Sequence, residues 1–115
     1  MSKDYKFCLK NKKIWVAGHN GMVGKAIVKT LRDRKRNVLT VNKSELDLTD
    51  QNKTFNWIKT NKPQAIFIAA AKVGGILTNS LNQYEFLYQN LMIQNNIIRS
   101  AAENNVEKLI FLGSS

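Results

Sequence analysis

The feature that most constrains this chain is a run of three evenly spaced glycines, Gly18-His19-Asn20-Gly21-Met22-Val23-Gly24, set between two segments of different periodicity. Before it, Lys13-Ile14-Trp15-Val16-Ala17 is a short apolar, partly β-branched run, the pattern of a buried strand. After it, Val23, Ala26, Ile27 and Leu31 recur at helical spacing up to Arg34. Each glycine has its own physical task in such a join. The first permits the tight turn, the second lets the backbone approach a pyrophosphate, and the third lets helix and strand pack closely. Phosphates would then sit on the free N–H groups of the helix start. Glycine triplets arise by chance, but this one lies inside a βαβ unit of about 30 residues. Dinucleotide binding by Gly18 to Gly24 is therefore a better reading than a tight turn with no ligand.

The rest of the chain continues the alternation. Asn37-Val38-Leu39-Thr40-Val41 reads as a second strand. Thr49 or Asp50 caps a helix carrying Phe55, Trp57 and Ile58, which must stop before Pro63. Ala65 to Ala71 is a third strand, apolar on both faces, as suits a parallel sheet covered by helices on each side. The longest helical stretch runs from about Asn79 to Asn104, with Phe86, Leu87, Met92 or Ile93, Ile97 and Ala101 as its inner stripe. Val106 to Leu112 reads as a fourth strand. The order β-α-β-α-β-α-β predicts an α/β fold, a Rossmann-like doubly wound parallel sheet.

With 115 residues there is room for one small domain. Residues 1–12 form a polar leader, and 13–115 read as a partial Rossmann domain. A chain that stops at Gly113-Ser114-Ser115, at the tip of a strand, stops where a ligand of such a sheet binds. On this reading the chain is an amino-terminal piece of a larger enzyme. Cys8 is the single cysteine, which excludes an internal disulfide or a multi-cysteine zinc site and fits a reducing compartment. With no long apolar run and no signal core, the sequence reads as cytoplasmic, with no membrane partner. Eighteen Lys and Arg against eight Asp and Glu give a net charge of +10. A nucleic-acid binder gathers such charge on one face. Here only Arg32, Arg34, Lys35 and Arg36 cluster, at a helix end where cations complement the dipole, so no nucleic-acid partner is expected.

The choice of dinucleotide turns on the end of the second strand. A carboxylate there would hold the ribose hydroxyls and favour NAD. This sequence has Val41-Asn42-Lys43-Ser44, with no carboxylate before Glu45. Lys43 suits a 2′-phosphate, which favours NADP(H); the other reading is one more surface lysine. Asp47, followed by Leu48, precedes the next helix. It is placed either to meet the adenine amino group or to shape the start of that helix.

Four stretches together resemble the GDP-L-fucose synthase family of the extended short-chain dehydrogenase/reductase superfamily. They are Gly18 to Gly24, Ala69-Ala70-Ala71-Lys72-Val73-Gly74-Gly75-Ile76, Tyr88-Gln89-Asn90 and Phe111-Leu112-Gly113-Ser114-Ser115. The glycine spacing alone points only to the superfamily, and the Ala-Ala-Ala-Lys segment is far more specific. The resemblance runs from about Lys13 to Ser115. It implies an NADPH-dependent enzyme that epimerises C3 and C5 of GDP-4-keto-6-deoxy-D-mannose and then reduces C4, giving GDP-L-fucose. Both half-reactions develop negative charge on the C4 oxygen, so one set of donors serves both. The resemblance gives Ser114 the catalytic task of binding that oxygen. It places Leu112, Gly113 and Ser115 beside the nicotinamide, and Ala70, Ala71 and Lys72 along the cofactor cleft. It also implies a homodimer, through long helices, for the full-length enzyme.

Two departures stand out. Asn20 occupies a position where the family often has arginine, so the NADP argument leans harder on Lys43. The superfamily's Tyr-x-x-x-Lys element is missing from these residues, since Tyr5, Tyr84 and Tyr88 have no lysine four positions later. The 115 residues alone are thus expected to be inactive. Two other readings stay open: another NAD(P)-dependent nucleotide-sugar epimerase or dehydratase, and a dinucleotide sensor without catalysis.

Overall fold

Four parallel strands form one sheet in the order β2-β1-β3-β4, where β1 is Lys13–Ala17, β2 Asn37–Leu39, β3 Ala65–Ile68 and β4 Lys108–Phe111. The structure is a computed structural model that describes residues 9–69 and 80–112. Three helices join the strands: α1 (Met22–Asp33), α2 (Gln51–Asn61) and α3 (Ser80–Glu103). The chain leaves β1 toward one edge, forms β2, then crosses back to place β3 on the other side of β1. That reversal makes the gap between β1 and β3 the switch point of a doubly wound sheet.

Strand alternation explains the two-sided core. Ile14 and Val16 of β1 and Ala65 of β3 pack with Val28 and Leu31 of α1 on one face. Trp15 and Ala17, with Ile66 and Ile68, turn to the other face, where Ile58 of α2 and Ile93, Ile97 and Ala101 of α3 cover them. Side chains at i and i+2 share a face; a strand segment buried on both faces must therefore be apolar, as residues 14–17 of β1 and all of β3 are. Trp15 and Trp57 lie against each other with ring centroids 4.5 Å apart.

Helix ends follow from local chemistry. Of the two candidate caps for α2, Asp50 is the one used, accepting the Lys53 N–H at 3.0 Å. Lys62, in a left-handed conformation, ends the helix immediately before Pro63, where a proline ring disfavours further helix. Beyond α1 and α3, Lys35 and Asn105 also adopt positive φ. Arg36 and Val106 there donate back to the carbonyls of Leu31 and Ala101, closing both helices.

The structure shifts several expected boundaries and faces. β2 ends at Leu39 rather than Val41, and β4 starts at Lys108 rather than Val106, although Val106 still packs on the core. In α1, Val23 and Ala26 are exposed, and the buried stripe is Gly24, Val28 and Leu31. In α3 the inner stripe contains Ile93, Ile97, Ser100 and Ala101, with Met92 half-buried and Leu87 57% exposed. The reason is angular. At about 100° per residue, Phe86 projects within roughly 20° of Ile93, whereas Leu87 lies about 120° away. Leu87 instead joins Tyr84, Tyr88, Leu91 and Ile98 as an exposed apolar stripe. No described helix is long and apolar enough to cross a membrane.

Candidate nucleotide site

The glycine loop is built by close backbone packing. Gly18 sits at φ 90°, a conformation costly for any residue with a Cβ. The Gly21 N–H reaches back to the Gly18 carbonyl at 3.2 Å, closing the turn. A Cβ on Gly24 would collide with the Gly18 carbonyl oxygen and lie 2.8 Å from its carbon and 2.9 Å from the His19 Cα. Those are backbone atoms and cannot step aside, so the third glycine is required by the fold itself.

Gly21 differs. It has ordinary extended geometry, φ −77° and ψ 168°, and a Cβ there would make only an ordinary 3.6 Å contact with Gly18. Protein packing does not demand glycine at this position. What a Cβ would occupy is the space at the mouth of α1. That helix has no side-chain cap and no acidic residue in its first turn, so its orphan N–H groups remain available to an anion. The charge and donor set of this helix start suit a pyrophosphate.

A cavity of ≈ 780 Å³ opens at the carboxyl ends of the strands, at the switch point. Gly18, His19, Asn20 and Gly21 line one part of it. Val41, Lys43, Leu46, Asp47, Leu48 and Thr49, from the loop between β2 and α2, line another. Trp15, Ala17, Ala69, Phe86 and Ile93 complete the walls. This volume suits a cofactor-sized ligand, and the mixture of apolar walls with a few polar groups is typical of such sites. Trp15 contributes a buried indole Nε1 with no hydrogen-bond partner among the described residues.

The second loop brings charged side chains to the cavity. Lys43 is exposed and borders the cavity, whereas Glu45 does not line it. Lys43 and the Asp47 carboxylate thus border the same cavity. The Asp47 carboxylate accepts hydrogen bonds at Oδ1 from the Thr49 N–H at 3.0 Å and the Thr49 hydroxyl at 2.6 Å. It therefore shapes the approach to α2 while also bordering the cavity.

Of the residues expected from sequence, the structure brings together Gly18, His19, Asn20, Gly21, Lys43, Asp47 and Leu48 around one cavity. Gly24 is buried behind the loop as a packing residue, and Met22 (88% exposed) and Val23 stand outside the lining. Leu112 follows β4, its N–H bound to the Ile68 carbonyl at 3.2 Å. Ala70, Ala71, Lys72, Gly113, Ser114 and Ser115 lie outside the described residues. Sequence reasoning missed Val41, Leu46, Thr49, Phe86 and Ile93 as walls of the cavity. Helical periodicity had marked Phe86 and Ile93 only as core.

A parallel sheet doubly wound about a glycine loop, with its cavity at the switch point, defines a dinucleotide-binding α/β protein. Residues 14–115 match the profile of the NAD dependent epimerase/dehydratase family, and the chain belongs to that family. It is similar to the GDP-L-fucose synthase of Sinorhizobium fredii, 46% identical over 109 residues covering 95% of this chain and 35% of that protein. The GDP-L-fucose synthase of Escherichia coli is 41% identical over 108 residues, 93% of this chain and 34% of that one. Among solved structures, a GDP-mannoheptose C4 reductase from Campylobacter jejuni with NADP bound superposes with a TM-score of 0.84 at 38% identity. That match covers 94% of this chain and 32% of the other. The chain thus spans about a third of the length of the curated relatives it matches.

Proposed function

We propose that this chain is the NADP(H)-binding portion of an epimerase/reductase that converts GDP-4-keto-6-deoxy-D-mannose to GDP-L-fucose. The observation that carries the reading is the cradle at Gly21, open to a phosphate, on the same cavity as Lys43. The GDP-L-fucose synthase relatives and the NADP-bound reductase support it. The Gly18–Gly24 loop and the start of α1 hold the pyrophosphate, Lys43 meets the 2′-phosphate, and Asp47 and Leu48 border the adenine. Ala70, Ala71 and Lys72 line the cleft, and Leu112, Gly113 and Ser115 flank the nicotinamide. When bound, NADPH supplies the hydride that reduces C4 of the sugar. Ser114 donates a hydrogen bond to the C4 oxygen, where negative charge develops both in epimerisation at C3 and C5 and in reduction.

The test is made on the chain as its reading frame encodes it. Fluorescence titration should give NADPH a Kd at least about tenfold below that of NADH, the scale of one charge-assisted hydrogen bond. Incubation with the keto sugar and NADPH should yield GDP-L-fucose. Equal affinity for the two cofactors sinks the NADP assignment. Tight NADPH binding without turnover of any GDP-linked keto sugar leaves a dinucleotide sensor instead.

The exposed stripe Tyr84, Leu87, Tyr88, Leu91 and Ile98 on α3 supports a homodimer, with each stripe covering its twin. Large apolar patches of this kind mark interfaces. Leu91→Glu should convert a dimer to a monomer by light scattering, and a wild-type monomer would remove the proposal. The cations are spread along the sequence from Lys3 to Lys108, and we expect no nucleic-acid partner. NADPH binding should be indifferent to added RNA.

A further inference from the structure

The loop joining β2 to α2, residues 40–50, brings Lys43 and Asp47 to the cavity without any regular element to carry them. Its internal bonds are all local. The Glu45 and Leu46 N–H groups donate to the Asn42 carbonyl at 2.9 Å, and the Asp50 N–H donates to the Asp47 carbonyl at 3.0 Å. Such bonds give the loop a shape and do not tell it where to sit. Among the described residues, placement comes from contacts of two kinds with distant parts of the chain. One is apolar: Leu46 is buried in the α2/α3 side of the core, and Val41 and Leu48 pack against it, contacts without direction. The other has direction: the Asn96 Nδ2 on α3 donates to the Leu48 carbonyl at 2.9 Å, across 48 residues of sequence. Asn96 is half-buried, on the flank of α3 that follows the cavity wall at Ile93. Leu48 sits between Asp47, with its Thr49 clamp, and the cap of α2.

We propose that Asn96 is a positioning residue for the adenosine half of the dinucleotide. Its amide N–H fixes the Leu48 carbonyl and with it the distance of Lys43 and Asp47 from the glycine loop. The inference rests on the nucleotide reading given above. It deepens that reading by assigning part of the affinity to a helix residue that does not line the cavity. Removing the donor leaves a carbonyl without its partner and frees the loop to drift. The loss should fall on ligands that reach the loop and spare those held by the glycines alone.

The experiment uses two near-isosteric variants, Asn96→Gln and Asn96→Met, which keep and remove the donor, on the chain as its reading frame encodes it. The probes are NADP⁺, 2′,5′-ADP, which reaches the loop, and inorganic pyrophosphate, which is read out at the glycines. Asn96→Met should weaken NADP⁺ and 2′,5′-ADP by about tenfold, the scale of one partly buried hydrogen bond. Pyrophosphate should change by less than about twofold, and Asn96→Gln should recover most of the loss. Two results overturn the inference: unchanged 2′,5′-ADP binding in Asn96→Met, or equal losses of 2′,5′-ADP and pyrophosphate, which would mark a general packing role. Should wild type bind neither NADP⁺ nor 2′,5′-ADP, the nucleotide reading itself falls, and this inference with it.

Discussion

The glycine loop after β1 and the loop after β2 line one cavity, yet they are held by different physics. In the first, every decisive contact lies within six residues. Gly18 turns the chain at φ 90°, Gly21 bonds back to it, and Gly24 packs on the backbone of Gly18 and His19. Nothing from a distant element is needed to give it shape. The second has no glycine at all. Its turns are closed by backbone bonds to the Asn42 and Asp47 carbonyls together with the Asp47–Thr49 side-chain pair, and it is tied from outside by the burial of Leu46 and by Asn96 on α3. A backbone cradle is suited to a phosphate, whose demand is for several N–H donors at close range. A loop of side chains is suited to telling one ribose from another, because a single residue there can be exchanged without rebuilding the turn.

Four substitutions press on that comparison, the largest effect first. Gly24→Ala places a Cβ against rigid backbone and should cost about 3 kcal/mol of stability, the upper range for overpacking. Thermal unfolding measures it, and a melting temperature equal to wild type would mean the loop is far more yielding than its contacts indicate. Gly21→Ala is the paired case. Its Cβ meets only a 3.6 Å contact, so stability should stay within about 0.5 kcal/mol. NADP⁺ affinity should nevertheless fall by about a hundredfold, because the methyl group takes the place of a phosphate oxygen and its hydrogen bonds. Full retention of affinity would show that the phosphate lies elsewhere.

The second loop should behave in the opposite sense. Lys43 is exposed, so Lys43→Glu should leave the melting temperature alone. The preference for NADPH over NADH should drop by roughly thirtyfold, read as a ratio of dissociation constants. Were both cofactors weakened equally, Lys43 would be acting on the pyrophosphate and not on the 2′-phosphate.

The smallest effect belongs to a control at the other end of the sheet. There the Lys12 ammonium bonds Glu107 at 3.0 Å and Gln64 donates to the same carboxylate at 3.3 Å. Chiefly the Lys12 bond, then that of Gln64, holds Glu107 below its ordinary pKa of 4.5. A group depressed on folding stabilises the protein at pH values above its ordinary one, and that contribution is lost as pH falls through the folded-state value. Glu107→Gln should therefore lower the melting temperature slightly at pH 7, with the gap closing in acid and NADP⁺ affinity unchanged at neutral pH. A gap that widens in acid would contradict the sign.

How much of this was legible beforehand follows from the range of each interaction. Strand β1, the glycine loop, the cap region of α2 and its stop before Pro63 were readable because each depends on neighbours a few residues away. The faces of α3 were readable only to within a residue. Phe86 and Leu87 are both apolar and adjacent, and the choice between them depends on how the helix is rolled against the sheet. Leu87 lost that choice and ended on the outer stripe. Asn96 gave no signal at all, since an asparagine on a helix reads as solvent-facing until its partner 48 residues earlier is brought beside it. Val41, Thr49 and Ile93 became cavity walls for the same reason.

What the amino-acid order determined by itself is the alternation of strands and helices and the phosphate cradle. Periodicity and backbone sterics act over one or two turns of chain and need no knowledge of the whole. What only the tertiary structure decided is where the second loop rests and which side of α3 remains open. Those depend on contacts between elements far apart in sequence, and burial and hydrogen bonding select them only once the sheet has brought the elements together.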